Sequence, residues 1–359
     1  MNPVSTQQVD RITQGIEFPS ELWRQKARAH LDVLTKPLGS LGRLEDIAAQ
    51  IVAIRQENFA KPIKKGAYIF AADHGISAEG VSAYPREVTH QMVLNYLSHG
   101  AAISVLARLH HAELCIVDVG VDADFEDIPG LVRRKIARGT RNFLHQPAMS
   151  DEHLAQALAV GAEMAAAASA AGITMIAIGE MGIGNTTCAS AITCVLTGAT
   201  AAVATGRGSG VSSEAHARKI AIVEAACLKH FGGASNPPPL EVLRCVGGLE
   251  IAAMTGMMLA AAEHKLVIVI DGFICTAAAA LAVAIAPEVG GYLVAGHQSE
   301  EPGHRLLLDK LNLVAVLSLK MRLGEATGAV LAMPMLESAM ALYTQMATFT
   351  SAGVSVASR

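Results

Sequence analysis

The 359-residue chain is 52% hydrophobic, 17% charged and 4% aromatic, with 28 basic and 32 acidic residues and a net charge of −4. High hydrophobicity with little charge excludes intrinsic disorder, and the acidic balance excludes a nucleic-acid-binding charge pattern. Much of the apolar content is alanine and glycine, so the interior is expected to bring backbones close together.

The first ten residues show no basic segment leading into an apolar run, so no signal peptide is expected. Residues 1–59 read as helical and charge-bearing, with no convincing strand. Within them, KPLGSLGRLE (36–45) reads as a glycine turn followed by a helix capped at Ser40. The first strand is predicted at Ala67–Ala72. It ends in Asp73-His74-Gly75 and a long polar loop through Ser82, Ala83, Tyr84 and Pro85. A helix follows over Val88–Ala107, then a strand over Leu114–Val119. Arg133, Arg134, Lys135, Arg138 and Arg141 form the densest basic stretch, either a solvated face or a local phosphate contact.

Next come a helix over His153–Ala171 and a strand over Ile173–Ile178. After them lies Gly179-Glu180-Met181-Gly182-Ile183-Gly184-Asn185-Thr186-Thr187. Glycines let a backbone approach a ligand closely, and free N–H groups at a helix start attract phosphate. The structural alternative is a glycine turn that packs strand on helix. The uncharged run Met181–Gly206 is long enough to span a bilayer. Asn185, its threonines and its glycines argue against that, and no membrane span is expected.

Thr205-Gly206-Arg207-Gly208-Ser209-Gly210 then precedes a helix over Val211–His230 that carries Lys219. Alone, each of Arg207 and Lys219 is more often a surface charge; together with the first loop they suggest an anionic ligand. Pro237–Pro239 reads as a surface connection. Further strands are predicted at Leu266–Ile270, Tyr292–Ala295 and Leu313–Leu317. They are followed by Asp271-Gly272, by a loop holding His297 and His304, and by Leu323-Gly324-Glu325-Ala326-Thr327-Gly328. The histidines and Asp73 and Asp271 lack tight metal-ligand spacing, so hydrogen bonding within strand-end loops is expected and no metal. Glu325 sits among small residues. It reads either as a carboxylate raised toward neutrality for proton transfer or as a helix N-terminal acid.

Continuously apolar strands alternating with helices predict a doubly wound α/β fold, a mainly parallel six-stranded, Rossmann-like sheet. Residues 60–330 would form the catalytic α/β domain, and 1–59 with 331–359 a small helical subdomain. Ligands of such sheets bind beyond the carboxyl ends of the strands. Six cysteines (115, 188, 194, 227, 245, 275) sit singly in apolar segments, as reduced core residues of a cytoplasmic protein would.

Nine stretches in order, KPLGSLGRLE, AADHGISAEGVSAYPREVTHQMV, GTRNFLHQPAM, GEMGIGNTT, TGRGSG, GGLEIAAMTG, IDGFICTAAAALA, GHQSEEPGH and MRLGEATGA, resemble the nicotinate-nucleotide–dimethylbenzimidazole phosphoribosyltransferases of the cobalamin pathway. The resemblance runs from about residue 36 to residue 340. It implies transfer of 5-phosphoribose from nicotinate mononucleotide to 5,6-dimethylbenzimidazole, without a cofactor, by a homodimer. It also implies roles: Glu325 as catalytic base with Glu180 beside it, and Gly179, Gly182, Ile183, Gly184, Asn185 and Thr186 as a phosphate cradle. Gly206, Arg207, Gly208 and Lys219 would lie near the nucleotide, and Ser82, Tyr84, Gln91 and Leu323 would border the base. The rivals are another nucleotide- or sugar-phosphate-using enzyme on the same sheet, or a nucleotide-binding regulator without activity.

Overall fold

The computed structural model describes residues 3–57, 63–208, 210–232, 234 and 236–355. Ser209 and the expected boundary at residues 59–60 lie outside the described residues. Six parallel strands form one sheet: β1 Lys65–Ala72, β2 Ala112–Gly120, β3 Leu131–Arg133, β4 Met175–Met181, β5 Val267–Ile270 and β6 Leu293–Ala295. Their spatial order is β3-β2-β1-β4-β5-β6. The order reverses between β1 and β4, and in a doubly wound sheet that is where a crevice opens.

Three strand expectations change. Leu313–Leu317 is no strand: only its end runs beside β6, where Val316 N–H donates to Ala295 O, Leu317 N–H to Gly296 O and Leu317 bridges His297. Val314 is exposed and its neighbours only half-buried, so the run never gains the two-sided cover of a parallel strand. The sixth strand is β3, which ends at the first arginine of the basic stretch. There Arg133 pairs with Asp127, Arg134 with Glu163, Lys135 with Asp118 and Arg138 with Asp124. These partners answer the charge locally, as on a solvated face. The third change is in β4, which runs three residues past its predicted end and carries Gly179, Glu180 and Met181 within the strand.

The helices follow the predicted spans with small shifts. Val88–Ala107 divides into Val88–Leu97 and Ala102–Leu109, broken by His99 at φ 61 and by Gly100. The helix after the KPLGS turn starts at Arg43 with Gly42 as its cap, not Ser40. Gly42 stands at φ 54, open to glycine without strain, and the Glu45 side chain accepts the Leu41 N–H at 3.0 Å.

Helix Leu249–Glu263 lies against β1, β2, β4 and β5 and is itself covered by helices Asp151–Ala170, Phe273–Ile285 and Pro3–Thr13. Every residue from Leu249 to Ala262 is buried, which explains why it is apolar all round. Gly161 and Gly256 let it meet helix Asp151–Ala170 backbone to backbone. A Cβ at Gly161 would stand 1.9 Å from Ala253 O, and one at Gly256 would stand 2.1 Å from Leu158 O.

The chain ends meet. Thr35 donates its N–H to Ala347 O, Phe349 to Val33 O, and His30 Nε2 lies 2.9 Å from Tyr343 O. Helix Thr327–Gln345 also reaches β4 and β5.

Candidate active site

At the carboxyl ends of the strands lies a cleft of about 150 Å³. Its walls come from four connections. Ser82 follows β1, and Glu180 to Thr186 end β4 and open helix Asn185–Thr197. Gly272 to Ile274 follow β5, and His297, Ser299 and Glu301 follow β6. Gly208 and Arg322 to Glu325 complete the rim. Of the predicted residues, Ser82, Glu180, Gly182, Ile183, Gly184, Asn185, Thr186, Gly208, Leu323 and Glu325 come together here.

The others are placed elsewhere. Gly179 lies behind the cleft, where an added Cβ would come within 2.2 Å of Ala326 N. Its absent side chain lets the 324–326 turn seat on β4. Gly206 packs on Glu301, whose Oε2 would lie 2.1 Å from an added Cβ. Arg207 closes its own loop, donating to Val211 O at 3.0 Å and Ser213 Oγ at 3.1 Å. Lys219 is fully buried behind the cradle and donates to Thr186 Oγ1 at 2.7 Å. Burial lowers its pKa to about 8, and nearby Glu301 partly offsets this. Tyr84 and Gln91 are exposed and outside the lining.

Glu325 occupies an unusual backbone. Gly324, Glu325 and Ala326 stand in succession at φ 90, 63 and 64. Two of the three are not glycine, and such strain persists only where the surroundings enforce it. Gly179 beneath and the Thr327 hydroxyl, donating to Gly324 O at 2.6 Å, do so. The side chain is 6% exposed. Burial raises its pKa to about 7; the neighbouring Tyr96 hydroxyl pulls it down and Asp271 pushes it up. Tyr96 OH and Glu325 Oε2 adjoin without a well-aligned hydrogen bond.

Glu180 is higher still. Burial and the charges of Glu250 and Asp271 raise it to about 8, against a hydrogen bond from the Asn185 amide. At neutral pH and with the cleft empty, Glu180 is therefore mainly protonated, and Glu325 is divided between its two forms.

Below the cradle, His74 and Glu250 form a fully buried ion pair at 2.6 Å, and Cys188 Sγ lies 3.2 Å from His74 Nδ1. Burial opposes a charge on His74, but Glu250 overrides it and holds the imidazole protonated. Gly182 and Gly248 make room, since an added Cβ on either would press on the ring.

His304 is held neutral by burial, its pKa lowered to about 3. Ser299 N–H donates to its Nδ1 at 2.8 Å, so the proton sits on Nε2, 3.0 Å from Thr276 Oγ1. That hydroxyl in turn donates to Gly272 O at 2.8 Å. This relay ties the loops after β5 and β6 together. Sequence reasoning placed His297 and His304 in a strand-end loop but gave no site role to His297, Ser299, Glu301, Arg322 or Tyr96. The histidines follow an apolar strand, and that was the available signal. Tyr96 lies inside an ordinary helix and left none.

Comparison with known proteins agrees with this geometry. A family model described as phosphoribosyltransferase matches residues 16–354. The nicotinate-nucleotide–dimethylbenzimidazole phosphoribosyltransferase of Geobacter sulfurreducens is 49% identical over 339 residues, covering 93% of this chain and 94% of the relative. The protein of that name from Geotalea uraniireducens is 50% identical over 333 residues, covering 92% and 93%. A crystal structure of CobT from Thermus thermophilus superposes with a TM-score of 0.89 at 46% identity, covering 93% of this chain and 99% of that one. A strand order, a strand-end cleft and near-complete alignment all agree, and the chain belongs to the nicotinate-nucleotide–dimethylbenzimidazole phosphoribosyltransferase family.

Proposed function

We propose that the chain transfers 5-phosphoribose from nicotinate mononucleotide to 5,6-dimethylbenzimidazole, giving α-ribazole 5′-phosphate and nicotinate for the nucleotide loop of cobalamin. The observation that carries this reading is the buried Glu325, raised to about 7, across one cleft from the glycine cradle that opens helix Asn185–Thr197. A metal-free mechanism needs little else. The leaving group is a pyridinium and takes the C1′–N electron pair without a general acid. One benzimidazole nitrogen forms the new bond to C1′, and the proton on the other nitrogen goes to the Glu325 carboxylate.

The phosphate sits at the helix start, among Gly182, Gly184, Asn185, Thr186 and Gly208, with Lys219 behind Thr186. Ile183 shapes that turn and gives its own N–H to Thr89 Oγ1 at 3.1 Å. Positive charge on the nucleotide favours ionised Glu180, so a carboxylate appears beside the ribose as its cationic character grows. Ser82 and Leu323 border the base.

Purified protein given both substrates should release nicotinate. Because Glu325 accepts a proton only when ionised, kcat/KM should fall as pH drops through about 7. No release across pH 6–9 overturns the function, and a rate flat through pH 7 removes Glu325 from the base role.

The same reading makes the enzyme a cytoplasmic homodimer. Exposed apolar side chains such as Leu38, Val314 and Leu319 are what a partner would cover. Light scattering should give twice the chain mass; a monomer at micromolar concentration refutes the dimer. Among the described residues no helix is long and apolar enough to cross a membrane.

A further inference from the structure

We propose that His297 receives the ring carboxylate of the departing pyridine, so that the cleft selects a pyridine-3-carboxylate leaving group over its carboxamide. This rests on the phosphoribosyl-transfer reading and names a specificity residue within it. His297 follows β6, lines the cleft and is 1% exposed. Neither ring nitrogen has a hydrogen-bond partner in the protein. A buried polar side chain left this way calls for a ligand, because its desolvation is otherwise uncompensated.

The ring is rigidly placed. Gly328 lies flat against it, where an added Cβ would reach 1.8 Å from Cδ2. Asp271 Oδ1 stands 3.5 Å from Nε2 and also accepts the Ala329 N–H at 3.0 Å. The charged or dipolar groups facing the ring are thus Asp271, the start of helix Thr327–Gln345, and His304, whose ring centre is 6.2 Å away. Asp271 thus stands between the helix start and His297 Nε2 and fixes the side from which the ring is approached.

The rest of the cleft repels an anionic ring. Glu180, Glu301 and Glu325 line it, and Asp271 lies close enough to push up both Glu180 and Glu325. A carboxylate among these groups needs a donor. Arg322 is an exposed rim residue that gives one N–H to Gly208 O at 3.0 Å beside the cradle, and the Asn185 amide is given to Glu180. Lys219 is outside the lining and bonded to Thr186. The substrate carries two anionic groups. The cradle suits the phosphate, and His297, a buried side chain of the same lining with both ring nitrogens unpartnered, suits the ring carboxylate.

The test compares nicotinate mononucleotide with nicotinamide mononucleotide, with dimethylbenzimidazole as acceptor, for wild type and His297→Asn. The variant should lose at least tenfold in kcat/KM for the acid, mainly through KM, while the amide changes less than twofold. Product inhibition by nicotinate should weaken in parallel. Equal losses for both nucleotides, or no loss for the acid, overturn the proposal. If the variant melts early, inhibition of wild type decides: nicotinate should inhibit at least tenfold more strongly than nicotinamide, and equal inhibition refutes the assignment. If wild type transfers no phosphoribose at all, the function reading has failed. Calorimetric binding of nicotinate against nicotinamide to wild type then tests His297 separately, and equal affinities overturn it.

Discussion

Glu325→Gln should lower kcat by about 10²–10⁴-fold while nicotinate mononucleotide still binds, since an amide keeps the shape but accepts no proton. Single-turnover nicotinate release and calorimetric nucleotide binding read the two effects separately. Near-normal turnover would remove Glu325 from proton transfer; loss of binding would move it into nucleotide recognition. The same variant should be more stable than wild type above neutrality. A carboxyl whose folded pKa is raised holds its proton in the native state between its ordinary value of about 4.5 and about 7. The unfolded chain binds fewer protons in that window, so stability declines as pH rises across it and stays reduced above 7. Glutamine abolishes that loss. Equal or lower melting of the variant at pH 8 would show that Glu325 is not held against its charge.

Gly161→Ala should destabilise the fold, although alanine in place of glycine within a helix ordinarily stabilises by about 1 kcal/mol. The new Cβ would lie 1.9 Å from Ala253 O, a backbone atom that moves only if helices Asp151–Ala170 and Leu249–Glu263 separate. Overpacking of this kind costs about 1–3 kcal/mol. Gly256→Ala meets Leu158 O on the same contact and should act alike. Once one alanine has parted the helices, the second finds room, so the double variant should lose less than the sum of the two. Thermal melting of the three variants checks both sign and coupling. An unchanged or raised melting temperature for Gly161→Ala would mean that the helices do not meet as described.

Much of the fold was legible because its strands are buried on both faces and read as unbroken apolar runs: Ala67–Ala72 and Leu114–Val119 fall inside β1 and β2. The failures have two causes. Leu313–Leu317 has the same composition but lies at the rim, and composition does not report cover. The three residues of β3 are too few for periodicity to register. In the cleft, Glu180, Glu325 and the glycine cradle were legible because glycine around an acid is rare in an apolar chain. Arg207 was expected from its glycine-rich loop and Tyr84 from the family resemblance, but Arg207 closes its own loop and Tyr84 is exposed outside the lining. His297 and Tyr96 were not foreseen in the site, since what singles them out is their neighbours across the sheet.

β4 outruns β5. Glu180 is registered against Phe70 of β1, whereas β5 stops at Ile270, opposite Ile178. The notch left by the shorter strand is where Asp271 and the 324–326 turn enter, so the position of Glu180 is fixed by strand pairing and not by loop conformation. On the proposed roles, bond breaking and base choice are therefore mechanically separate. Substitutions in the loop around Ser82, the proposed acceptor side, should leave Glu180, proposed to face the ribose, where the sheet holds it. A scaffold of this kind can change its preferred acceptor without relearning how to cleave the glycosidic bond.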